Sequence, residues 1–442
     1  MKNILVIGAG RSAVTLIKYL LDNSVENNWQ VTVADFSISL AEEAVSNHEN
    51  GKAIFFNVTD ETQRESEIKQ ADIVISMLPA SLHITVAKDC VRLFKDLVTA
   101  SYVSPEILAL DEAAKQAGVL LLNEIGLDPG IDHMSAMQII DDIKLNGGEL
   151  TSFKSFCGGL VHPDYDNNPW NYKFTWNPRN VVLAGQGTAQ YIENGDYKYI
   201  PYTSLFERTE QMEVLDAGEF EGYANRDSLS YRKPYGLDNI PTLFRGTLRR
   251  KGYSEAWNIF VQLGMTDDTY KLENSAIITN REFINMFLSF DDALTVEEKL
   301  CKQFNLTTDS VIFQKIAWLG VFSENKVGME NASPAQILQA ICEEKWTLGT
   351  EDKDMIVMQH QFEYLKNGAQ KKLNSSLVVF GDDPRYTSMA KTVGLPVAIA
   401  TKLILSGAIK STGVKIPTTK DIYIPVLKEL EENGINFVEE LV

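Results

Sequence analysis

The sequence predicts an α/β protein in which an N-terminal, doubly wound parallel sheet is followed by a second, mixed α+β domain. Three observations lead to this prediction. Short apolar runs alternate with helical patterns through the first third of the 442 residues, a glycine-rich turn follows the first run, and beyond residue 126 the chain becomes rich in Gly, Pro, Tyr, Trp and Asn. Alternating strands and helices are typical of parallel sheets with helices on both faces.

Six strands are predicted in the first third, at residues 3–7, 31–34, 53–56, 73–77, 97–99 and 119–122. The helices between them are predicted at residues 13–23, 38–46, 61–70, 82–94 and 105–117. In such sheets ligands bind beyond the carboxyl ends of the strands. The segments 76–79, 100–104 and 123–130 follow the last three strands, and we expect them to line a ligand site.

The first strand leads directly into a glycine turn, Gly8-Ala9-Gly10-Arg11-Ser12-Ala13, and the second ends on Asp35. This order is typical of a Rossmann dinucleotide-binding domain. Gly8 permits the tight turn, Gly10 lets the backbone approach a pyrophosphate, and Ala13 still allows close packing of the helix on the strand. Asp35 can accept hydrogen bonds from ribose hydroxyls and would repel a 2′-phosphate, so the sequence favours NAD over NADP.

Composition and charge exclude several other classes of protein. The net charge of −19, with no basic block to offset it, argues against nucleic-acid binding. The four cysteines are widely spaced and show no metal-binding pattern, and no apolar run approaches the roughly 20 residues of a membrane span. Because the chain begins in a strand, we expect no signal peptide and a cytoplasmic protein.

Later elements are predicted from shorter patterns. A strand at residues 152–157 should end at Cys157-Gly158-Gly159, and a strand through residues 247–249 should place Thr247 and Arg249 on one face. A helix is predicted at residues 131–142. A long helical pattern at residues 388–405 should be broken by Gly394-Leu395-Pro396.

Three candidate sites for chemistry have plain structural alternatives. Asp128 lies in a Gly-Leu-Asp-Pro-Gly turn, where it could contact substrate or nicotinamide or simply cap the helix that follows. Asp132 and His133 could do acid/base work, although a helical histidine is more often structural. Cys157 could line the site or be a small buried residue.

The basic residues gather in one region of this acidic chain. Arg245, Arg249, Arg250 and Lys251 are close in sequence, with Arg226 and Arg232 upstream. Guanidinium groups bind carboxylates in two-point contacts, which favours a pocket for an anionic substrate. The alternative is a solvated basic edge.

Several strings, in one order along the chain, closely resemble saccharopine dehydrogenases of the glutamate-forming type. They are SYVSP at 101–105, NEIGLDPGIDH at 123–133, CGGL at 157–160, NPWNYKFTW at 168–176, NRDS at 225–228, RGTLR at 245–249, KDMIVMQH at 353–360 and MAKTVGLPVAIATK at 389–402. The resemblance covers essentially the whole chain.

The resemblance implies a reaction and a domain plan. Saccharopine, an amine with three carboxylates, would be oxidised by NAD to an imine, and water would then release L-glutamate and 2-aminoadipate 6-semialdehyde. Residues 1–126 would form the NAD-binding Rossmann domain and residues 127–384 a substrate-binding and dimerisation domain. Residues 385–442 would return to the first domain, with the site in the cleft between domains and a homodimer as the assembly.

The resemblance also implies site residues by matching motif. The substrate contacts would be Ser101, Tyr102, Thr175, Arg226, Thr247, Leu248 and Arg249. With the glycine turn and Asp35, the cofactor contacts would be Arg11, Ser12, Ala13, Asn57, Val58, Met77, Ala100, Ser101, Leu127, Asp128 and Pro129. The nearest candidates for the catalytic acid or base are Tyr102, Asp128 and Cys157, or a water that they hold.

Two departures from the family pattern bear on specificity. Fungal enzymes of the family resemble NADP users with an arginine after the second strand, whereas this chain has Asp35-Phe36. The family's CGGL string usually continues Pro-Ala-Pro, whereas here residues 161–164 read Val-His-Pro-Asp. Two alternatives therefore stay open: an opine-like or carboxynorspermidine-type dehydrogenase, and a non-catalytic NAD sensor.

Overall fold

The computed structural model describes residues 1–442, which divide into two compact units. Unit 1 comprises Met1–Leu150, Tyr364–Gln370 and Leu377–Val438, and unit 2 comprises Thr151–Glu363, Lys371–Ser376 and Glu439–Val442. Unit 1 thus extends beyond residue 126, where the amino-acid composition changes. Most of the chain after residue 384 also belongs to unit 1.

The first 145 residues contain six strands and eight helices. The strands are β1 (Lys2–Ile7), β2 (Trp29–Asp35), β3 (Gly51–Phe55), β4 (Ile73–Ser76), β5 (Asp96–Val98) and β6 (Leu120–Leu122). The helices are α1 (Val14–Asp22), α2 (Ser24–Asn27), α3 (Ile38–Val45), α4 (Glu61–Gln70), α5 (His83–Arg92), α6 (Pro105–Leu108), α7 (Asp111–Ala117) and α8 (Ile131–Leu145). All six predicted strands are confirmed, while the single helix predicted at residues 105–117 is two helices.

The remaining elements follow in chain order. They are β7 (Glu149–Val161), α9 (Pro178–Val182), β8 (Thr188–Glu193), β9 (Asp196–Pro201), β10 (Thr209–Glu213), β11 (Glu219–Ala224), β12 (Thr242–Arg250), α10 (Tyr253–Leu263), α11 (Asn280–Asn285), α12 (Val296–Phe304), α13 (Val311–Trp318), α14 (Pro334–Trp346), β13 (Asp354–Lys366), β14 (Ala369–Phe380), α15 (Ser388–Leu405), β15 (Gly413–Lys415), α16 (Lys420–Glu432) and β16 (Val438–Leu441). Short 3-10 helices lie at Arg11–Ala13, Ala80–Leu82, Pro163–Tyr165, Tyr202–Glu207, Leu215–Ala217 and Leu229–Tyr231.

The sheet of unit 1 has seven strands in the order β15-β6-β5-β4-β1-β2-β3, all parallel. Its central strands are buried on both faces, which is why β1 reads as a continuous apolar run instead of an alternating one. Leu5 and Ile7 pack on one side against a core that includes Val86, Cys90 and Ala114 from α5 and α7. The predicted parallel, doubly wound sheet is confirmed.

Helix α15 is continuous, and the predicted break at residues 394–396 is wrong. Gly394 is buried where α15 meets α1, and a Cβ there would lie 2.9 Å from the backbone nitrogen of Leu16. The glycine therefore permits close helix packing, and the helix accommodates Pro396 in its interior. α15 is long and apolar enough to cross a membrane, but most of it is buried inside the protein, as in a core helix.

The sheet of unit 2 is mixed. Its strands run in the order β10-β11-β12-β7-β13-β14-β16, and the β8–β9 hairpin pairs with β12. β12 is antiparallel to β11 and parallel to β7. The predicted strand end at Cys157 is wrong, because β7 continues to Val161. Gly158 serves close packing, since a Cβ there would lie 2.6 Å from the Leu248 carbonyl oxygen on β12.

Candidate active site

The glycine turn between β1 and α1 leaves room for a phosphate. Gly8 has φ +107°, and a Cβ there would lie 2.8 Å from the carbonyl oxygen of Met77, so this position requires glycine. A Cβ added at Gly10 would meet nothing within 4 Å, so the space above the turn is open. The 3-10 helix Arg11–Ala13 follows, and its first N–H groups have no helical acceptor. These features fit the pyrophosphate of a dinucleotide.

The carboxylate of Asp35, at the end of β2, is hydrogen-bonded to the glycine turn. Its two oxygens accept hydrogen bonds from the backbone N–H groups of Ala9 and Ser37, each at 2.8 Å. The side chain therefore already has two backbone donors, and its charge is partly compensated. The sequence-based preference for NAD depended on this carboxylate facing a ribose.

The other predicted cofactor residues lie at the same edge of the sheet. Asn57 and Val58 follow β3, Met77 follows β4, Ala100 and Ser101 follow β5, and Leu127 to Pro129 follow β6. Because the strands are parallel, their carboxyl ends meet at one edge. Tyr102, a candidate acid or base, follows β5 at this edge and is 52% exposed.

The turn after β6 has little freedom to change. A Cβ at Gly130 would lie 2.1–2.4 Å from backbone atoms of Gly126, and a Cβ at Gly126 would lie 2.9 Å from the Cβ of Ala100. The Asp128–Pro129 peptide bond is cis. The N-cap residue of α8 is Gly130, two residues after Asp128, and both interpretations of Asp128 stay predictions. The Asp128 side chain is half-buried within this turn.

A buried carboxylate and histidine stabilise the neighbouring loop. Glu124, which has φ +56°, accepts a hydrogen bond from the backbone N–H of Val103 at 2.9 Å. Its second oxygen lies 2.9 Å from Nε2 of His133, which is fully buried on α8. These contacts tie the segment after β5 to the segment after β6, and they give His133 a structural position.

A second histidine at this edge, His83, was not among the residues singled out from the sequence. Its Nδ1 lies 2.8 Å from Oγ of Ser76, and its Nε2 lies 2.7 Å from Oγ of Ser101. His83 begins α5 and is 1% exposed. No sequence pattern signals this contact, because Ser76 and Ser101 reach the ring from the ends of two different strands.

Unit 2 contains a buried guanidinium with no carboxylate partner. Arg249 is 3% exposed, no carboxylate lies within ion-pair distance of it, and its Nε has no hydrogen-bond acceptor. Its guanidinium carbon lies 4.9 Å from the ring centre of Tyr172 and 5.3 Å from that of Tyr253. Glu221, its partner in the β11–β12 register, turns its carboxylate to the backbone N–H groups of Gly252 and Ser254. The site is therefore suited to an anion from outside the chain.

Neutral tyrosines surround Arg249. Burial raises the pKa of Tyr172 to about 12 and also raises that of Tyr253. Both phenols therefore stay protonated at neutral pH, and their ring faces interact favourably with the cation. They supply no countercharge, so the positive charge stays available to a ligand.

Three side chains form a row beside Arg249. Thr247 is in register with Tyr223 on one side and with Cys157 on the other, so all three lie on one face of the sheet. The Thr247 hydroxyl donates to the side-chain oxygen of Asn225 at 2.7 Å. Leu248 points to the opposite face and is fully buried, so any contact it makes with substrate comes from its backbone.

The remaining predicted substrate residues differ in solvent exposure. Arg226 lies in the turn after β11, is exposed and makes no ion pair. Thr175 is buried, and its hydroxyl has no partner. Arg245 and Arg249 are both buried, so the alternative of a solvated basic edge is wrong for these two, although it describes the exposed Lys251.

The sheet of unit 1 and its glycine turn place the protein among the dinucleotide-binding oxidoreductases. Comparison with known proteins then gives the family. Two models match, described as the saccharopine dehydrogenase NADP binding domain (residues 4–122) and the saccharopine dehydrogenase C-terminal domain (residues 126–435). The chain belongs to the saccharopine dehydrogenase family, whose members are oxidoreductases acting on CH–NH donors.

Individual relatives agree with this assignment. Saccharopine dehydrogenase [NADP(+), L-glutamate-forming] of Schizosaccharomyces pombe is 34% identical, and the match covers 100% of this chain and 99% of that protein. Alpha-aminoadipic semialdehyde synthase of Arabidopsis thaliana is 36% identical over 95% of this chain and 41% of its own length. The structure of apo saccharopine dehydrogenase (L-Glu forming) from Saccharomyces cerevisiae matches with a TM-score of 0.91 at 34% identity, covering 100% of both chains. The family resemblance seen in the sequence is confirmed.

The sequence-based choice of NAD is corrected by these findings. The fungal relatives are named as NADP(+) enzymes, and the matching N-terminal model is an NADP binding domain. The prediction depended mainly on the charge of Asp35. An acidic residue at the end of β2 repels a 2′-phosphate when its charge faces the ribose, but here both oxygens accept hydrogen bonds from the backbone.

Proposed function

We propose that this protein oxidises saccharopine with NADP⁺ to L-glutamate and 2-aminoadipate 6-semialdehyde. The observation that carries the proposal is the buried Arg249 guanidinium, which has no carboxylate partner within the chain. A buried cation without a counter-ion is costly, and a substrate carboxylate compensates for it. Saccharopine has three carboxylates, and the unpaired, exposed Arg226 offers a second cation.

The cofactor would be held by the carboxyl edge of the sheet in unit 1. The open space at Gly10 and the free N–H groups after it would take the pyrophosphate. Arg11 is exposed and makes no ion pair, so it is available to a phosphate. When bound, NADP⁺ supplies a hydride acceptor.

The residues of the chain would bind, orient and deprotonate the substrate. Arg249 would take one carboxylate in a two-point contact, and the Thr247 oxygen, whose proton is donated to Asn225, would accept a hydrogen bond from a substrate N–H group. Before oxidation the substrate nitrogen must lose a proton, and the imine that forms must then gain water. Tyr102, Asp128 and Cys157 stay the candidates for this acid/base work.

The test is the appearance of NADPH, followed by its near-ultraviolet absorbance, with purified protein, saccharopine and NADP⁺. We expect turnover that releases glutamate and semialdehyde in equal amounts. Parallel reactions with carboxynorspermidine and other secondary amines measure selectivity. Turnover of another amine without turnover of saccharopine would overturn the substrate assignment, and a faster reaction with NAD⁺ than with NADP⁺ would overturn the cofactor assignment.

A further inference from the structure

His83 connects two serines at the carboxyl edge of the sheet in unit 1. Ser76 is the last residue of β4, and Ser101 follows β5, the neighbouring strand. The imidazole of His83 lies between them, 2.8 Å from Ser76 Oγ and 2.7 Å from Ser101 Oγ. Ser76 is fully buried, His83 is 1% exposed, and Ser101 is half-buried. Only the Ser101 end of this hydrogen-bonded chain is open to a ligand.

The protonation of the imidazole determines what Ser101 presents to a ligand. A neutral imidazole has one N–H and one acceptor nitrogen. If Nε2 is the acceptor, the Ser101 hydroxyl donates its proton to the ring, and the oxygen presents only lone pairs elsewhere. If Nε2 carries the proton, Ser101 accepts from the ring and can donate its own proton to a ligand.

The surroundings favour a neutral ring. Burial lowers the pKa of His83 to about 4, although a hydrogen bond to the backbone of Leu78 opposes this shift. His83 also begins α5, and the N-terminus of a helix disfavours a positive charge. A ring that stays neutral at neutral pH is a poor base, but it retains one acceptor nitrogen.

The Leu78 contact indicates which nitrogen carries the proton. A backbone hydrogen bond that favours the protonated ring is one in which the ring N–H donates to a carbonyl oxygen. Leu78 lies two residues after Ser76, the residue at the end of β4 that is the partner of Nδ1. We assign the proton to Nδ1, the nitrogen that faces Ser76, and this assignment leaves Nε2 as the acceptor for Ser101.

We propose that His83 is a positioning residue whose Nε2 accepts a hydrogen bond from the Ser101 hydroxyl, so that the Ser101 oxygen accepts a hydrogen bond from an N–H group of the bound ligand. This inference rests on the proposed function for the identity of that ligand. Two N–H groups would meet the requirement: the secondary amine of saccharopine and the carboxamide of the nicotinamide. No proton leaves His83 in this role, and the ring stays neutral throughout.

The first test is spectroscopic and does not depend on activity. In protein labelled with ¹⁵N at its five histidines, the His83 signals are assigned by their loss in His83→Gln. We expect the shifts of a neutral ring with the proton on Nδ1 at neutral pH. A charged ring, or a proton on Nε2, would overturn the proposal even if the enzyme turns over saccharopine.

The second test is a double-mutant cycle. Loss of one hydrogen bond corresponds to about a tenfold change, so Ser101→Ala and His83→Asn should each lower kcat/KM about tenfold. The double variant should be no worse than Ser101→Ala alone, because His83 acts through Ser101. His83→Gln should restore much of the activity, since its longer side chain can place an oxygen near the position of Nε2, whereas Asn cannot reach it.

The other outcomes are equally informative. Losses that add in the double variant, with Gln no better than Asn, would show a merely structural role. A change in the Kd of NADPH would assign the N–H to the carboxamide, and a change only in the KM or kcat for saccharopine would assign it to the amine. His48→Asn, away from this serine pair, is the control. If the wild-type protein fails with saccharopine but the histidine spectrum is as expected, the proposed function fails and the positioning of Ser101 stands.

Discussion

Arg249 is a buried cation, and the proposed substrate binding depends on it. The chain surrounds it with aromatic rings and gives it no carboxylate, so without substrate its charge is only partly compensated. Burial of an incompletely paired charge destabilises a fold. A binding site can retain such a charge because the charge contributes to ligand binding. Stability and binding should therefore respond in opposite directions when the charge is removed.

We predict that Arg249→Met weakens saccharopine binding by about 2–4 kcal/mol, because it removes the two-point contact to a carboxylate. The same substitution should leave the free energy of unfolding unchanged or raise it by about 1 kcal/mol, since Met fills the space without a charge. Steady-state kinetics measures the effect on substrate binding, and urea unfolding measures the effect on stability. The exposed Lys251→Met is the control, and a large loss of stability in Arg249→Met would show that the guanidinium serves the fold.

Arg11 is the available cation beside the glycine turn, and its removal tests whether its side chain binds a phosphate of the cofactor. We predict that Arg11→Ala weakens NADPH binding about tenfold, through one charge-assisted hydrogen bond to a phosphate. Fluorescence titration with NADPH and NADH gives both affinities. Lys18→Ala, which removes an exposed lysine of α1, should change neither. An unaltered Kd in Arg11→Ala would mean that the backbone alone binds the phosphates.

The glycine turn shows how two identical residues can have different roles within one element. Gly8 has a positive φ and no room for a Cβ beside Met77, whereas Gly10 has open space above it. The first glycine is required by the fold, whereas the fold would allow a Cβ at the second. The motif predicts the role of Gly8 correctly, because the strand–turn–helix geometry that it encodes is local, and the role of Gly10 stays a prediction.

We predict that Gly10→Ala leaves thermal stability within about 0.5 kcal/mol of the wild type and lowers NADPH affinity by tenfold or more, because the new methyl group occupies the phosphate space. Gly8→Ala should instead destabilise the protein by about 2 kcal/mol or more through backbone strain and the contact with Met77. Calorimetry and fluorescence titration distinguish the two. Equal losses of stability would contradict the separation of roles.

On the scale of the whole molecule, the pKa shifts predict sensitivity to acid. Burial lowers the pKa of His83 to about 4, against a usual value of 6.5. Between these values the unfolded chain binds the proton and the folded protein does not, so stability falls as pH falls through this window. Burial raises the pKa of Asp89, but hydrogen bonds from Arg92 and Arg64 lower it by more, and its contribution is lost at still lower pH.

We predict a loss of up to about 3 kcal/mol of unfolding free energy between pH 6.5 and 4 from His83 alone. Urea unfolding at several pH values measures the slope. His83→Gln should flatten it in this window, while His48→Asn should retain it. A slope that is the same in wild type and His83→Gln would show that other groups control the acid sensitivity.

The sequence alone determined the parallel sheet, the glycine turn and the strand that places Thr247 and Arg249 on one face, because each depends on local periodicity or on a short motif. It also contained the long strings that carry the family resemblance. Only the tertiary structure decided which groups Asp35 contacts, that α15 continues through Gly394 and Pro396, and that His83 joins Ser76 to Ser101. These features depend on atoms brought together from distant parts of the chain. Such neighbours determine how an acidic side chain is hydrogen-bonded, whether a glycine interrupts a helix and which tautomer a histidine adopts. No local sequence pattern specifies them.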